Sequence, residues 1–514
     1  MVFYSTKTIF TFIFFFLLVI SLPHFIASAS IDFNGSVLHK ISPIQFVNSA
    51  KEVITNLQQV TAILSRFNVD VEAGHPPVSN AISDCLDLVD LSTENLRWSI
   101  SAIQNPNRKD KSTGNLSSDL RTWLSAVLVN PDTCIEGLQG TNVIGLVSAG
   151  LDRVKSAVKN LLDEVIPVND HLTTGIASDR FPSWIKDYEV NLLQANRINA
   201  DAVVAADGSG DYSSVMDAIS AAPENSTKRY VIHVKKGVYV ENVVIDKKKL
   251  NIMMIGDGMD ATVISGSRSR SKVDGTTTFR SATFAVKGGG FIARDVSFEN
   301  TAGPEKHQAV ALKSSSDHSV FYRCGIFGYQ DSLYAHSMRQ FYRECKITGT
   351  VDFIFGDATA VFQKCQILAR QGMPDQKNTI TAQGRQHPTQ PTGFSFQFCN
   401  ISADTEVTSP TYLGRPWKTY SRTIFMQSYM SDAIRPEGWL EWVGSFALDT
   451  LYYGEYMNSG PGAEVANRVK WSGYHVLNDS SEAIKYTVAQ FIEGNLWLPA
   501  TGVSYDSGLK VNSI

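Results

Sequence analysis

The sequence predicts an all-β solenoid preceded by a small all-α helix bundle, and three observations carry that reading. Apolar residues recur near a 3.6 period within residues 31–170. From about residue 200 they give way to short β-branched and aromatic runs separated by glycine-rich corners. Within this second region one segment recurs, with its cysteines 21 and then 20 residues apart (324, 345, 365). At 514 residues and 43% hydrophobic content, the chain has length and apolar material for two folded regions.

Residues 1–29 read as a signal peptide. Lys7 lies in a short n-region, IFTFIFFFLLVI (9–20) supplies the apolar core, and Ala27-Ser28-Ala29 offers a small-residue cleavage site. No other long apolar run follows, so a soluble exported protein with no membrane attachment after cleavage is expected. Sequons at Asn34, Asn115, Asn225, Asn400 and Asn478 agree with export.

Residues 30–170 form the expected helical domain. CLDLVDLSTENLRWSISAI (85–103) places Cys85, Leu88, Leu96, Ile100 and Ile103 near one face, and DLRTWLSAVLVNPDTC (119–134) should kink or end at Pro131. Leu151, Val154, Val158, Leu161, Leu162 and Val165 make a third stripe, read as core. A Cys85–Cys134 bridge would tie two antiparallel helices. Residues 171–199, with FPSW (181–184) and KDYEVNLLQ (186–194), read as an extended linker.

The solenoid occupies residues 200–514. RYVIHV (229–234), NIMMIG (251–256) and FIARDVSFEN (291–300) are strand-like, and VFYRCGIFG (320–328), QFYRECKITG (340–349) and VFQKCQI (361–367) are copies of one unit. FQFCNI (396–401) is a looser fourth copy. Short strands with no helices between them make this a β-solenoid, each turn burying its face on the next; an antiparallel sandwich is the alternative. Cysteines one turn apart, roughly 5 Å in the stacking direction, suggest a Cys324–Cys345 bridge. With six cysteines divided two and four, a Cys365–Cys399 bridge would complete the set.

Polar residues share the repeat. Gln308 and Gln330 are 22 residues apart and Asp331 and Asp352 are 21 apart, about one turn each, beside Tyr329, Tyr334, Phe353 and Phe355. An isolated Asp in a solenoid is usually a turn residue, but four polar groups in one register describe a site. Asp352 sits in an apolar stretch, where a charge needs a partner; Arg415 of LGRPW (413–417) offers a bidentate fork. Two close carboxylates should have split pKa values, one charged and able to attack, the other protonated and able to donate. Two amides could stabilise a carbonyl oxygen in a tetrahedral transition state. That set suits ester hydrolysis on a polymer lying along the solenoid, with Trp417, Trp439 and Trp442 as stacking platforms. Lys and Arg number 15 against 19 Asp and Glu in residues 1–200 and 31 against 31 thereafter, with no basic tract to suggest nucleic acid.

KHQAVAL (306–312), GYQDSLY (328–334), GTVDFIFG (349–356) and LGRPW together resemble the signature segments of plant pectin methylesterases, and residues 200–512 are similar to the catalytic domain throughout. The helical region resembles, more weakly, the inhibitor domain that such enzymes often carry as a pro-region. The resemblance implies a right-handed parallel β-helix that demethylesterifies homogalacturonan in the cell wall or apoplast, releasing methanol, with no metal or organic cofactor. It implies Asp352 as nucleophile, Asp331 as general acid and later base, Gln308 and Gln330 as the anion hole, and Arg415 as the group orienting Asp352. Trp417, Phe279, Gln383 and Trp439 fall in the implied sugar-binding groove. A monomer is expected, with an intramolecular contact to the pro-region and a separate inhibitor protein as candidate partners.

The chain departs from the family pattern in three places. Ser332 stands where the family usually has Thr. Only Cys85 and Cys134, the later of two usual cysteine pairs, are present in the helical region. EVNLLQ (189–194) lacks the basic pair that often precedes Leu-Leu, leaving Arg180 as another place for cleavage. The rival readings are a lyase or glycosidase on the same scaffold, and a non-catalytic wall-binding or inhibitor protein. No compact carboxylate cluster for calcium appears in the central turns, and an inverting glycosidase wants its carboxyls about 6.5–9.5 Å apart.

Overall fold

The computed structural model describes residues 37–71, 76–106, 113–167 and 199–510. The expected signal peptide, the Asn34 sequon, most of the expected linker and the EVNLLQ segment lie outside them.

Among the described residues four helices form the N-terminal bundle: α1 (Pro43–Val71), α2 (Pro76–Gln104), α3 (Leu116–Leu138) and α4 (Ile144–Glu164). Their apolar stripes meet in one core that includes Leu57, Leu88, Leu96, Leu124, Leu151 and Val158. Asn115 caps α3, its side-chain oxygen accepting from the Ser118 amide at 3.2 Å. α3 does not end at Pro131 but runs on to Leu138. Proline removes one helical donor, but here most of the helix is buried, and packing outweighs that local cost. Cys85 and Cys134 bridge α2 to α3 with Cα atoms 4.7 Å apart.

From Ala202 onward the chain winds into a parallel β-helix of three sheets with eleven, eight and seven strands. The repeat seen in the sequence is the interior of this helix. Phe321, Tyr342, Phe362, Phe396 and Phe425 pair in register on successive coils and stack at 4.8, 4.7, 4.5 and 4.5 Å between centroids. Two residues on, Arg323, Glu344, Lys364 and Phe398 turn each coil with φ of 50°, 53°, 55° and 57°. The cysteine after each turn points inward.

Those four cysteines correct the sequence reading: Cys324, Cys345, Cys365 and Cys399 are free thiols, with neither a Cys324–Cys345 nor a Cys365–Cys399 bridge. The flanking strands pair so that each cysteine lies directly above the last. In-register side chains keep the strand spacing of about 4.8 Å between β-carbons, whereas a disulfide draws them to about 3.8 Å. The thiols turn instead to backbone oxygens of the preceding coil, Cys345 to Phe321 at 3.2 Å and Cys399 to Phe362 at 3.3 Å.

The seven-stranded sheet positions the site. Its order is Val243–Ile245, Phe284–Val286, Leu312–Ser314, Leu333–Ala335, Ile354–Gly356, Asn378–Gln383 and Thr411–Gly414. Phe279, Ala285, Val310, Tyr334, Phe355 and Ala382, in and around this sheet, belong to the same hydrophobic cluster as the bundle core. The bundle therefore lies against the β-helix along this sheet.

Candidate active site

Asp331 and Asp352 each stand two residues ahead of a strand of this sheet, and the pairing of Leu333 with Ile354 sets them one coil apart. Both have left-handed backbones, with φ of 63° and 52°. Such backbones are uncommon away from glycine, and at paired functional residues they hold side chains where an extended strand would not. The Asp331 amide donates to the Val351 carbonyl at 3.1 Å, fixing one turn on the other.

Asp352 is 5% exposed and fully partnered. Arg415 Nε donates to Oδ1 at 2.8 Å and Nη2 to Oδ2 at 2.7 Å, a bidentate fork. The Thr379 hydroxyl donates to Oδ1 at 2.6 Å and accepts from the Asp352 amide at 2.9 Å. Asp331 has a different environment. Burial first, then the neighbouring Asp352 charge, push its carboxyl well above the usual range, against the opposing pull of Arg415 and Arg270. One carboxylate is thus held in a cationic fork while its neighbour favours the proton. Arg415 lies with its guanidinium carbon 4.4 Å from the centroid of the Trp442 ring.

Asp331, Asp352, Gln308, Gln330, Arg415 and Trp417 line one cavity of about 1050 Å³, together with Phe279, Tyr334, Phe355 and Trp442. Tyr334 and Phe355 stack at 4.1 Å, with Trp417 edge-on to both at 6.5 and 5.9 Å. Gly384 makes room for that indole, since a Cβ there would meet the Trp417 ring at 2.9 Å.

Two expected groove residues lie elsewhere. Trp439 is 1% exposed, stacks on Tyr453 at 4.0 Å and donates its ring N–H to Glu455 at 3.3 Å. A buried indole needs such a partner, and Trp439 is an interior residue; the cavity holds Trp442. Gln383 is fully buried, donating to Asp357 at 3.2 Å and accepting from the amides of Arg385 and Arg422 at 3.0 and 2.7 Å. It braces a loop.

Sequence reasoning did not single out Thr379, Arg270, Lys418 or the bundle's share of the cavity. Thr379 lies 27 residues after Asp352, and the longer coil breaks the 20–21-residue spacing that aligned the others. The bundle wall comprises Val78, Thr133, Glu136, Gly137, Gln139, Gly140 and Thr141. The Thr133 hydroxyl lies 3.1 Å from His336 Nε2 and 3.5 Å from the Tyr334 hydroxyl. Both partners are buried.

Taken together, a parallel β-helix carrying an arginine-paired aspartate beside a second whose carboxyl is pushed upward, beneath a helical bundle, fits a class, the carboxylic ester hydrolases that act on carbohydrate. The family model Pectinesterase matches residues 201–495, and that for Plant invertase/pectin methylesterase inhibitor matches residues 27–167. The chain belongs to the pectinesterase family. It is 60% identical to a probable pectinesterase/pectinesterase inhibitor of Arabidopsis thaliana, over 96% of this chain and 97% of that protein. It is 62% identical to a pectinesterase/pectinesterase inhibitor of Prunus persica, over 92% of this chain and 91% of that protein. The pectin methylesterase from carrot, a solved structure, is 54% identical with a TM-score of 0.60, covering 61% of this chain and 100% of that one.

Proposed function

We propose that this chain removes methyl esters from homogalacturonan in the plant cell wall, with Asp352 as nucleophile and Asp331 as general acid and base. The division of roles between the two aspartates carries the reading: Asp352 is charge-paired with Arg415, and Asp331 is biased toward its proton. An Asp352 oxygen attacks the ester carbonyl carbon, and the carbonyl electron pair moves onto oxygen, where the Gln308 and Gln330 amides receive it. Collapse breaks the bond to methoxide, which leaves as methanol with the Asp331 proton. The resulting anhydride between Asp352 and the uronyl group is opened by water, whose proton passes to Asp331. The uronic acid and the Asp352 carboxylate are thereby restored. Trp417, Tyr334, Phe355 and Phe279 provide apolar ring faces for the sugars, a groove the docked bundle narrows. Access of polymer to that groove is restrained while the bundle is in place.

Methanol release from highly methylated pectin tests this, comparing the full chain with Thr133→Arg, which inserts a long cation against Tyr334 and His336. The Thr133→Arg chain should release methanol faster, and adding Asp352→Asn should abolish release. A folded Thr133→Arg chain that yields unsaturated product or new reducing ends without methanol would refute the esterase roles.

A further inference from the structure

Thr379 holds the turn that carries Asp352 through both its backbone and its side chain. Its amide donates to the Thr350 carbonyl at 3.1 Å and its carbonyl accepts from the Phe353 amide at 3.3 Å, on either side of Asp352. Its hydroxyl accepts from the Asp352 amide at 2.9 Å and lies 2.6 Å from Oδ1. The chemistry of the partners fixes the direction of that second bond. An amide N–H only donates, so a lone pair of the threonine oxygen receives it; an ionised carboxylate only accepts, so the single hydroxyl proton points at Oδ1. A separation of 2.6 Å is that of a charge-assisted O–H···O⁻ bond.

The hydroxyl is also held in direction. Thr379 is β-branched, with a restricted χ1, and stands in the strand Asn378–Gln383 in register with Tyr412. It is fully buried and is not among the residues that line the cavity, so it can reach the substrate only through Asp352. Its effect is to make the two carboxylate oxygens unequal. Oδ1 receives two side-chain donors, Arg415 Nε and the Thr379 hydroxyl, while Oδ2 receives Arg415 Nη2 alone. A carboxylate offers about four lone-pair sites, two to each oxygen. Oδ1 is therefore saturated and Oδ2 keeps one site open, on a residue that lines the cavity.

We propose that Thr379 is a positioning residue that selects the attacking atom: it saturates Oδ1 and leaves Oδ2 as the nucleophilic oxygen of Asp352. This deepens the esterase reading and rests on it. On attack, Oδ2 forms the bond to the ester carbon and becomes the bridging oxygen of the anhydride. Oδ1 becomes a carbonyl oxygen and keeps both of its donors. When water adds to the uronyl carbon, the bond from that carbon to Oδ2 breaks and its electron pair returns to the aspartate, while the water proton goes to Asp331. The Thr379 proton helps to carry the restored charge. It stays on one atom throughout, while the other makes and breaks the bond.

The test separates the hydroxyl from the bulk of the side chain. Thr379→Val removes the hydroxyl and keeps the branch, Thr379→Ala is a second removal, and Thr379→Ser keeps the hydroxyl. Each is placed in the full chain carrying Thr133→Arg, and methanol release from highly methylated pectin is followed across pH. Thr379→Val and Thr379→Ala should lower kcat about ten- to hundredfold with KM little changed. They should also move the acid limb of kcat/KM up by about one pH unit, because a carboxylate that loses a donor is protonated more readily. Thr379→Ser should keep kcat within about fivefold and leave the acid limb in place. A residue that merely braced the fold would leave that limb unmoved in every variant. An unmoved limb, a fall with serine as large as with valine, or a loss confined to KM would each overturn the proposal. Urea unfolding of the same chains gives a readout without turnover. Removing the hydroxyl should cost about tenfold more in the unfolding constant when Asp352 is present than in an Asp352→Asn background, and equal costs would also overturn the proposal. If the parent chain releases no methanol while that difference stands, the esterase reading fails and the anchoring of Oδ1 does not. Methanol release without the difference would do the reverse.

Discussion

Arg415→Met removes the fork that holds Asp352 and keeps only an uncharged chain in place of the arginine's aliphatic stem. Asp352, 5% exposed, would keep only the Thr379 hydroxyl of the three side-chain donors it now has. Stripping one partner from a buried ion pair costs about 3–5 kcal/mol. Arg415 is itself 24% exposed, so water can reach the vacated side, and the lower end, about 3 kcal/mol, is expected. In an Asp352→Asn background the stranded charge is gone and the same substitution should cost about 1 kcal/mol. The double-mutant cycle should therefore return a coupling of about 2 kcal/mol. Urea unfolding of the full chain and its three variants, followed by tryptophan fluorescence and analysed at the β-helix transition, measures it. Methanol release by the Arg415→Met chain should fall about a hundredfold, or about 2.7 kcal/mol in the barrier. Equal costs in the two backgrounds would refute the claim that this arginine stabilises the charge of Asp352.

Other consequences can be checked with simple measurements. A thiol reagent should find four reactive groups after unfolding without reductant and almost none in the native chain; fewer than four would restore a bridge in the solenoid. Cys85→Ser removes a link spanning 49 residues, and loop entropy alone predicts a loss of about 4 kcal/mol in bundle stability, read from thermal melting. Burial, then Asp352, raises Asp331, so its contribution to stability is full below the ordinary carboxylate value and is lost as pH rises through the raised one. Asp331→Asn should accordingly flatten the decline in melting temperature between about pH 4 and the raised value, and an unchanged slope would count against a protonated Asp331. Pro131→Ala restores a donor within α3 and should stabilise the bundle by about 1–3 kcal/mol, where a loss would mean that the ring packs better than it bonds.

Much of the β-helix was legible because its coils repeat. Stacked Phe321, Tyr342 and Phe362 and the inward cysteines keep one spacing, so a 20–21-residue period brought Asp331 and Asp352 together on paper. The same regularity misled where geometry mattered more than distance: cysteines one coil apart looked ready to bridge, yet strict register holds their β-carbons too far apart. Thr379 was hidden by a longer coil. Trp439 and Trp442 lie three residues apart in one loop, and sequence alone does not tell which indole turns inward. The placement of the bundle was illegible for another reason. Its acidic residues on α2 look like an ordinary solvated helix face until Arg280, Lys287 and Lys247 are set opposite them.

The column of unbridged thiols bears on how the chain can form its Cys85–Cys134 bridge. Six cysteines allow 15 complete pairings, and one stretch of chain holds four of them. Synthesis proceeds from the N-terminus, so Cys85 and Cys134 are present together while the others do not yet exist. The bundle can therefore oxidise without competition. Later coils bury each thiol as they close, leaving them 0–2% exposed. A chain whose solenoid stalls would instead offer four thiols to Cys85 and Cys134, and the wrong partner would record the delay. The redox state of the finished protein is in this sense a trace of the order in which its two halves folded.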